Sequence, residues 1–247
     1  MSRQVYIVFL LLLLGFSCKK PEDRSCFKGS GTWTSEERSF PGLTSVRLFD
    51  YIDYNFIQDS ADKVVIRAGE NLLSHIDTEF DQGVLTIRNE NKCNWLRALP
   101  VSIEVDIHFK ELDLVYNESA GTSRTVGVWR QESFTWQNWH TASKSYLELE
   151  VEQGLISTNA GGSLIELVGS VNYVDLYLSG VCQIKAKNFI ASSAFAHNVG
   201  SGDIELTVIG GTLYWNIESH GNIIYHGNPE PIIEYGHTGG GELIKGG

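Results

Sequence analysis

Three short runs decide how this chain is read: Gly200-Ser201-Gly202-Asp203-Ile204-Glu205-Leu206, Gly221-Asn222-Ile223-Ile224-Tyr225 and Gly239-Gly240-Gly241-Glu242-Leu243. In each, a glycine is followed two residues later by an aliphatic side chain, Gly202 by Ile204, Gly221 by Ile223 and Gly241 by Leu243. The pattern extends backwards to Gly180 with Cys182 and Gly162 with Leu164, so the five glycines recur at intervals of 18, 22, 19 and 20 residues. Alternating stretches precede the glycines: Val174, Leu176 and Leu178, then Phe195, His197 and Val199, then Leu213, Trp215 and Ile217. Each is read as the inward face of a strand. Four residues after the glycines stand Glu166, Ile184, Leu206, Tyr225 and Lys245, of which the middle three continue that face.

A period near 20 residues with short strands turning at glycine predicts an all-β fold, a right-handed parallel β-helix or β-solenoid with coils of about 20 residues. A single coil cannot bury its apolar face. Stacked about 4.8 Å apart, coils align like positions into ladders and pair every backbone group with the coils above and below. Glycine belongs at the corners, where a Cβ is penalised by positive φ or by close backbone approach. On this spacing Cys182 is a small apolar member of a ladder made of Leu164, Cys182, Ile204, Ile223 and Leu243.

Upstream the alternation persists. Val84 to Ile87 follows the turn Asp81-Gln82-Gly83; Val101, Ile103, Val105 and Ile107 share one face of a strand, as do Leu147, Leu149 and Val151. Only Glu70 to Phe80 has room for a helical turn, and a bend is expected there. Whether residues 38–145 continue the same solenoid or form a separate sheet is open, with a sub-boundary near 145.

The N-terminus reads as a targeting segment. Val5 to Gly15 is an unbroken apolar run of 11 residues after Arg3. That is short for a membrane-spanning helix and suits the apolar core of a secretory signal. Gly15-Phe16-Ser17-Cys18 follows and resembles the lipobox of bacterial lipoproteins, although Gly15 stands where the usual leucine would be. The resemblance implies residues 1–17 as signal peptide, lipidation at Cys18, a tether over 18–37 and a β-helical domain over 38–247. A plain secretory signal and a buried strand are the alternatives. Of the remaining cysteines, Cys26 and Cys93 could bridge.

Composition excludes some partners. The formal charge is -11, and residues 188–247 hold one Lys or Arg, Lys245. Nucleic acid and anionic lipid surfaces are therefore not expected, and the membrane contact is the lipid anchor alone. Glycans or surface proteins remain as partners, and oligomers are open.

The three glycine runs, with His226-Gly227-Asn228-Pro229, Phe40-Pro41-Gly42-Leu43-Thr44-Ser45-Val46 and Asn91-Lys92-Cys93-Asn94-Trp95, resemble the putative auto-transporter adhesin, head GIN domain family. The similarity runs from about Arg38 to Gly241. It implies a β-helical fold and a cell-envelope location, including an outer-membrane lipoprotein facing the periplasm or the surface. It carries over no catalytic residues, cofactor or metal, and the expected function is a non-catalytic surface for adhesion. A polysaccharide-degrading enzyme and a structural envelope protein are the alternatives.

Candidate ligand contacts are Trp129, Trp136, Trp139 and His140, an aromatic cluster that would stack on sugar rings if exposed and would otherwise fill the core. His197, His220, His226 and His237 are read as surface residues, Asp50, Asp53, Asp59 and Asp62 as a solvated edge. Glu205 with Glu218, or Asp175 with Glu205, could form the carboxylate pair a glycosidase would need, whereas acidic residues between inward apolar ones ordinarily just line the solvent face.

Overall fold

The computed structural model describes residues 29–91 and 102–247. The expected signal segment, Cys18, Cys26 and Cys93 lie outside the described residues. Eighteen strands among them form one continuous sheet, wound into a β-solenoid of about seven turns.

The first coil is β2 (Ser45–Leu48) and β3 (Asp53–Gln58). On one side of it stack β6 (Val84–Asn89) and β7 (Glu104–Phe109), and on the other β8 (Leu114–Asn117) and β9 (Thr122–Thr125). From β8 onward spatial order follows the chain. β10 (Trp129–Thr141) lies on β8, and β11 (Lys144–Gly161) on β9 and β10. β12 (Leu164–Leu178) follows on β11, and β13 (Gln183–Asn198) on β12. β14 (Ile204–Ile209) and β15 (Leu213–Ile217) both stack on β13. β16 (Ile223–Asn228), β17 (Ile232–His237) and β18 (Leu243–Lys245) then lie on β14, β15 and β16. Pairing runs unbroken past residue 145.

The N-terminal end departs from the expected all-parallel pattern. β4 (Lys63–Gly69) pairs antiparallel with β7 and with β1 (Trp33–Ser39), and β5 (Ile76–Asp81) pairs antiparallel with β6. The one-turn helix α1 (Glu70–Leu73) connects β4 to β5 and buries Leu72 and Leu73. Antiparallel strands closing an end cover backbone groups that would otherwise template further pairing.

The register corrects the ladder read from glycine spacing. Ile165, Ile184, Ile204, Ile223 and Leu243 form the apolar column. Leu164 and Cys182 are not in it; Leu164 pairs with Gln183. The residues after it shift likewise: Ala186, Leu206, Tyr225 and Lys245 align. Cys182 instead joins a corner column with Ser143, Ser163, Gly202, Gly221 and Gly241, two positions before Ser145 and the members of the apolar column. It is buried, with its sulfur 3.3 Å from Ser163 Oγ and 3.5 Å from the Gly161 carbonyl oxygen. The physical reason for glycine here is close approach rather than positive φ: a Cβ on Gly221 would stand 1.9 Å from the Gly202 oxygen, and one on Gly241 2.0 Å from the Gly221 oxygen. Gly162 and Gly180 recur at a similar interval without belonging to the column.

A second correction concerns β13. Towards its C-terminal end the buried residues are Ala194, Ala196 and Asn198, not Phe195, His197 and Val199. Asn198 sets this phase. Its side-chain amide donates to the carbonyls of Gly202 (2.9 Å) and Asn222 (3.1 Å), and its Oδ1 accepts from Gly200 N (3.0 Å). A buried side chain that satisfies three backbone groups at a corner holds the register more firmly than the apolar preference of its neighbours. The next coil places Leu213 and Trp215 opposite the two alanines, so large residues lie against small ones.

Candidate functional site

With β13 in this phase, one outer face of the solenoid carries two columns of outward side chains. The first runs through Leu114, Thr135, Leu155, Asp175, Phe195, Tyr214 and Ile233. The second runs through Arg47, Tyr116, Gln137, Ser157, Tyr177, His197 and Asn216. Aromatic rings gather at both ends of this face, and small polar residues lie between.

At the C-terminal end, Phe195 stacks on His197 with centroids 5.9 Å apart and planes at 21°. Tyr177 meets His197 edge-on at 5.2 Å. Tyr235 packs against Phe195 at 5.3 Å and Tyr214 at 5.7 Å. Tyr235 is the extra residue of a bulge, since Trp215 pairs with Glu234 and Asn216 with Gly236. The bulge turns its side chain outward, 70% exposed.

Polar groups border these rings. His197 Nε2 lies 2.9 Å from Glu218 Oε1, and Asn216 Nδ2 donates to the same oxygen at 2.8 Å. Hydrogen bonds from His197 and Asn216 hold the Glu218 carboxyl below its ordinary range. Asp175 sits between Leu155 and Phe195 in its column, and burial pushes its carboxyl up, partly offset by the charge of His197. Burial likewise raises the Tyr173 hydroxyl, with Asp175 adding to the effect.

At the other end, Tyr116 and Trp139 stack at 6.1 Å with planes at 23°, and Phe49 lies 6.4 Å from Tyr116. The Arg47 guanidinium stands over Tyr116 at 5.1 Å and that of Arg88 over Phe49 at 4.0 Å. Tyr116 donates to Glu118 Oε1 at 2.5 Å, a bond that raises its hydroxyl, with burial adding to it.

The aromatic cluster singled out in the sequence divides between core and surface. Trp129 and Trp136 are 1% and 0% exposed and pack with Phe56, Phe109 and Phe134. Neither ring reaches a ligand at the surface. Trp139 is partly exposed in the Tyr116 stack, and His140, exposed, is 5.8 Å from it at a corner with φ of 50°. The larger aromatic patch, around Phe195, His197, Tyr214 and Tyr235, escaped the sequence reading because two of its members were assigned inward. The signal was the Asn198-Val199-Gly200 corner, whose asparagine repeats Asn117 before Ser119.

The other expected sites do not converge. Among the described residues no group of three His, Cys, Asp or Glu could hold a metal. Asp50, Asp53, Asp59 and Asp62 each accept from a separate backbone N–H, of Asn89, Thr122, Ala61 and Lys110 respectively. They are turn acceptors, not merely a solvated edge. Glu205 pairs with His226 at 2.8 Å in the column of Lys185 and Ile224, away from Asp175 and Glu218.

Comparison with known proteins agrees with this architecture. Residues 42–229 match the family model described as "Putative auto-transporter adhesin, head GIN domain". Crystal structures of similar fold include a putative adhesin from Bacteroides fragilis, 14% identical with a TM-score of 0.77, covering 87% of this chain and 97% of that one. A putative adhesin from Parabacteroides distasonis is 18% identical with a TM-score of 0.63, covering 87% and 98%. A putative lipid binding protein from Parabacteroides distasonis is 21% identical with a TM-score of 0.62, covering 89% and 98%. No curated protein matches the chain.

Proposed function

The chain belongs to the putative auto-transporter adhesin, head GIN domain family, and from that premise we propose that it is a non-catalytic adhesion module of the cell envelope that captures glycans on the aromatic outer face. It is tethered through lipid at Cys18, in the outer membrane. One observation carries the reading: Tyr177, Phe195, Tyr214 and Tyr235 form a chain of ring contacts through His197, next to Asp175, the register neighbour of Phe195, whose carboxylate accepts no hydrogen bond from a described residue. Flat rings stack on the apolar faces of sugar rings, and a partly desolvated carboxylate gains from accepting sugar hydroxyls. Family membership supports adhesion over catalysis.

A glycan array probed with the wild type and with Phe195→Ala and Tyr235→Ala tests the proposal. Retention of neutral oligosaccharides, weakened about five- to tenfold by either substitution, is expected. Release of reducing ends during incubation would favour an enzyme instead, and equal retention by all three proteins would move the site elsewhere. Mass spectrometry of the membrane fraction, looking for a diacylglyceryl-modified Cys18, tests the anchor.

A further inference from the structure

Arg47 and Arg88 are exposed, and among the described residues neither makes an ion pair or donates a hydrogen bond. Arg124 and several lysines among the described residues likewise make no ion pair, and what sets these two apart is the surface on which each rests. Each guanidinium is instead parked over a ring, Arg88 on Phe49 and Arg47 on Tyr116. A ring fixes the plane of the fork while its donors stay available for two parallel bonds to a planar anion. Trp139, stacked on Tyr116, extends the apolar floor beside them.

The position of the arginines relative to the proposed glycan site is set by the register. Arg47, Tyr116, Gln137, Ser157 and Tyr177 occupy one column, so Tyr116 and Tyr177 are three coil steps apart, about 14 Å. Gln137 and Ser157 fill the gap, with no bulky side chain in the column between the aromatic ends. We propose that the two ends are a single extended site for a linear oligosaccharide that is neutral over most of its length and carries one carboxylate, held by Arg47 and Arg88. The proposal rests on the glycan reading above and names its ligand class.

A polyanion does not fit. Glu118 lies within the Tyr116 cluster, Glu79 and Asp81 line the hollow on the other side of Arg47, and Asp175 and Glu218 border the far end. Repeated negative charge along the ligand would meet carboxylates at both ends, whereas a single one at the arginines faces only those beside Arg47, of which Glu118 is already engaged by the Tyr116 hydroxyl.

The test uses the full-length protein in detergent on an array of neutral oligosaccharides of two to eight residues. Beside each stands the same chain bearing one uronic acid. Acidic chains of about six residues or more are expected to be retained about tenfold better than their neutral parents, because one charge-assisted pair contributes about that factor. Disaccharides, too short to span, should show a weaker preference for acid and lower retention overall. Arg47→Gln with Arg88→Gln should abolish the preference and leave neutral chains bound. Should that variant fold poorly, the wild type at tenfold higher ionic strength reads the same contact, since the preference should shrink while neutral retention persists. Equal retention of acidic and neutral chains, or a preference that survives both the substitutions and the salt, overturns this inference and leaves the glycan reading standing. Retention of no oligosaccharide overturns both.

Discussion

The carbonyl oxygen of Cys182 lies 1.6 Å from the place a Cβ on Gly202 would occupy, one coil away. Gly202→Ala must therefore push two coils apart at a corner, and an expected loss of about 3 kcal/mol follows from overpacking. Gly162→Ala is the control. Its Cβ would stand 3.7 Å from Val181 in ordinary contact, and its effect should fall within about 0.5 kcal/mol. Urea denaturation of the two variants checks the difference; equal losses would mean that the corner column is misplaced.

Two neighbouring tryptophans should behave oppositely. Trp136 is buried, and its indole donates to Asn138 Oδ1 at 2.9 Å, so Trp136→Ala should cost about 3–5 kcal/mol. Trp139→Ala should leave the melting temperature within a few degrees and remove part of the fluorescence that acrylamide quenches. A cooperative unfolding loss at Trp139 would place that ring in the core.

Asp175 should trade stability for binding. Its carboxyl is raised in the folded state by burial, so between the ordinary aspartate range and the raised value the folded protein binds more protons than the unfolded chain. Stability therefore falls as pH rises through that window and stays lower above it. Asp175→Asn should raise the melting temperature at pH 7, flatten this pH dependence and weaken glycan retention. A lower melting temperature would show that the carboxylate has a structural partner instead.

Arg67 and Asp106 form the pair that joins β4 to β7. Arg67 Nη1 donates to Asp106 Oδ1 at 2.7 Å, Nη2 donates to Oδ2, and Asn55 Nδ2 donates to Oδ1 at 2.9 Å. Burial alone would raise the Asp106 carboxyl, but the hydrogen bonds from Arg67 and Asn55 outweigh it and hold the group below its ordinary range. The associated stability is present above the unfolded aspartate range and is lost as pH falls through the lowered value. Arg67→Met strands the carboxylate and should cost about 2 kcal/mol, less than in a fully buried pair because the Arg67 side chain keeps 36% of its surface in water. Arg67→Met with Asp106→Leu should recover much of the loss in thermal melts; no recovery would assign the cost to packing.

Composition and periodicity alone determined that this chain is all-β, that its coils hold about 20 residues and that glycine marks their corners. These properties are legible because a solenoid repeats one local problem, how to turn and re-enter the sheet, at every coil. The phase of each strand was decided only in three dimensions. Gly162 and Gly180 matched the interval but not the column, and Phe195 with His197 alternated as convincingly as Ala194 with Ala196. In β13 the choice fell to Asn198, which bonds to carbonyls on its own corner and on the coil two steps on. A one-residue shift exchanges the faces of a strand, and that exchange put Phe195 and His197 on the surface. It brought together rings from residues 177, 195, 214 and 235 that no spacing rule would group. The repeat is written locally in the sequence; the binding face exists only where separate coils come into register.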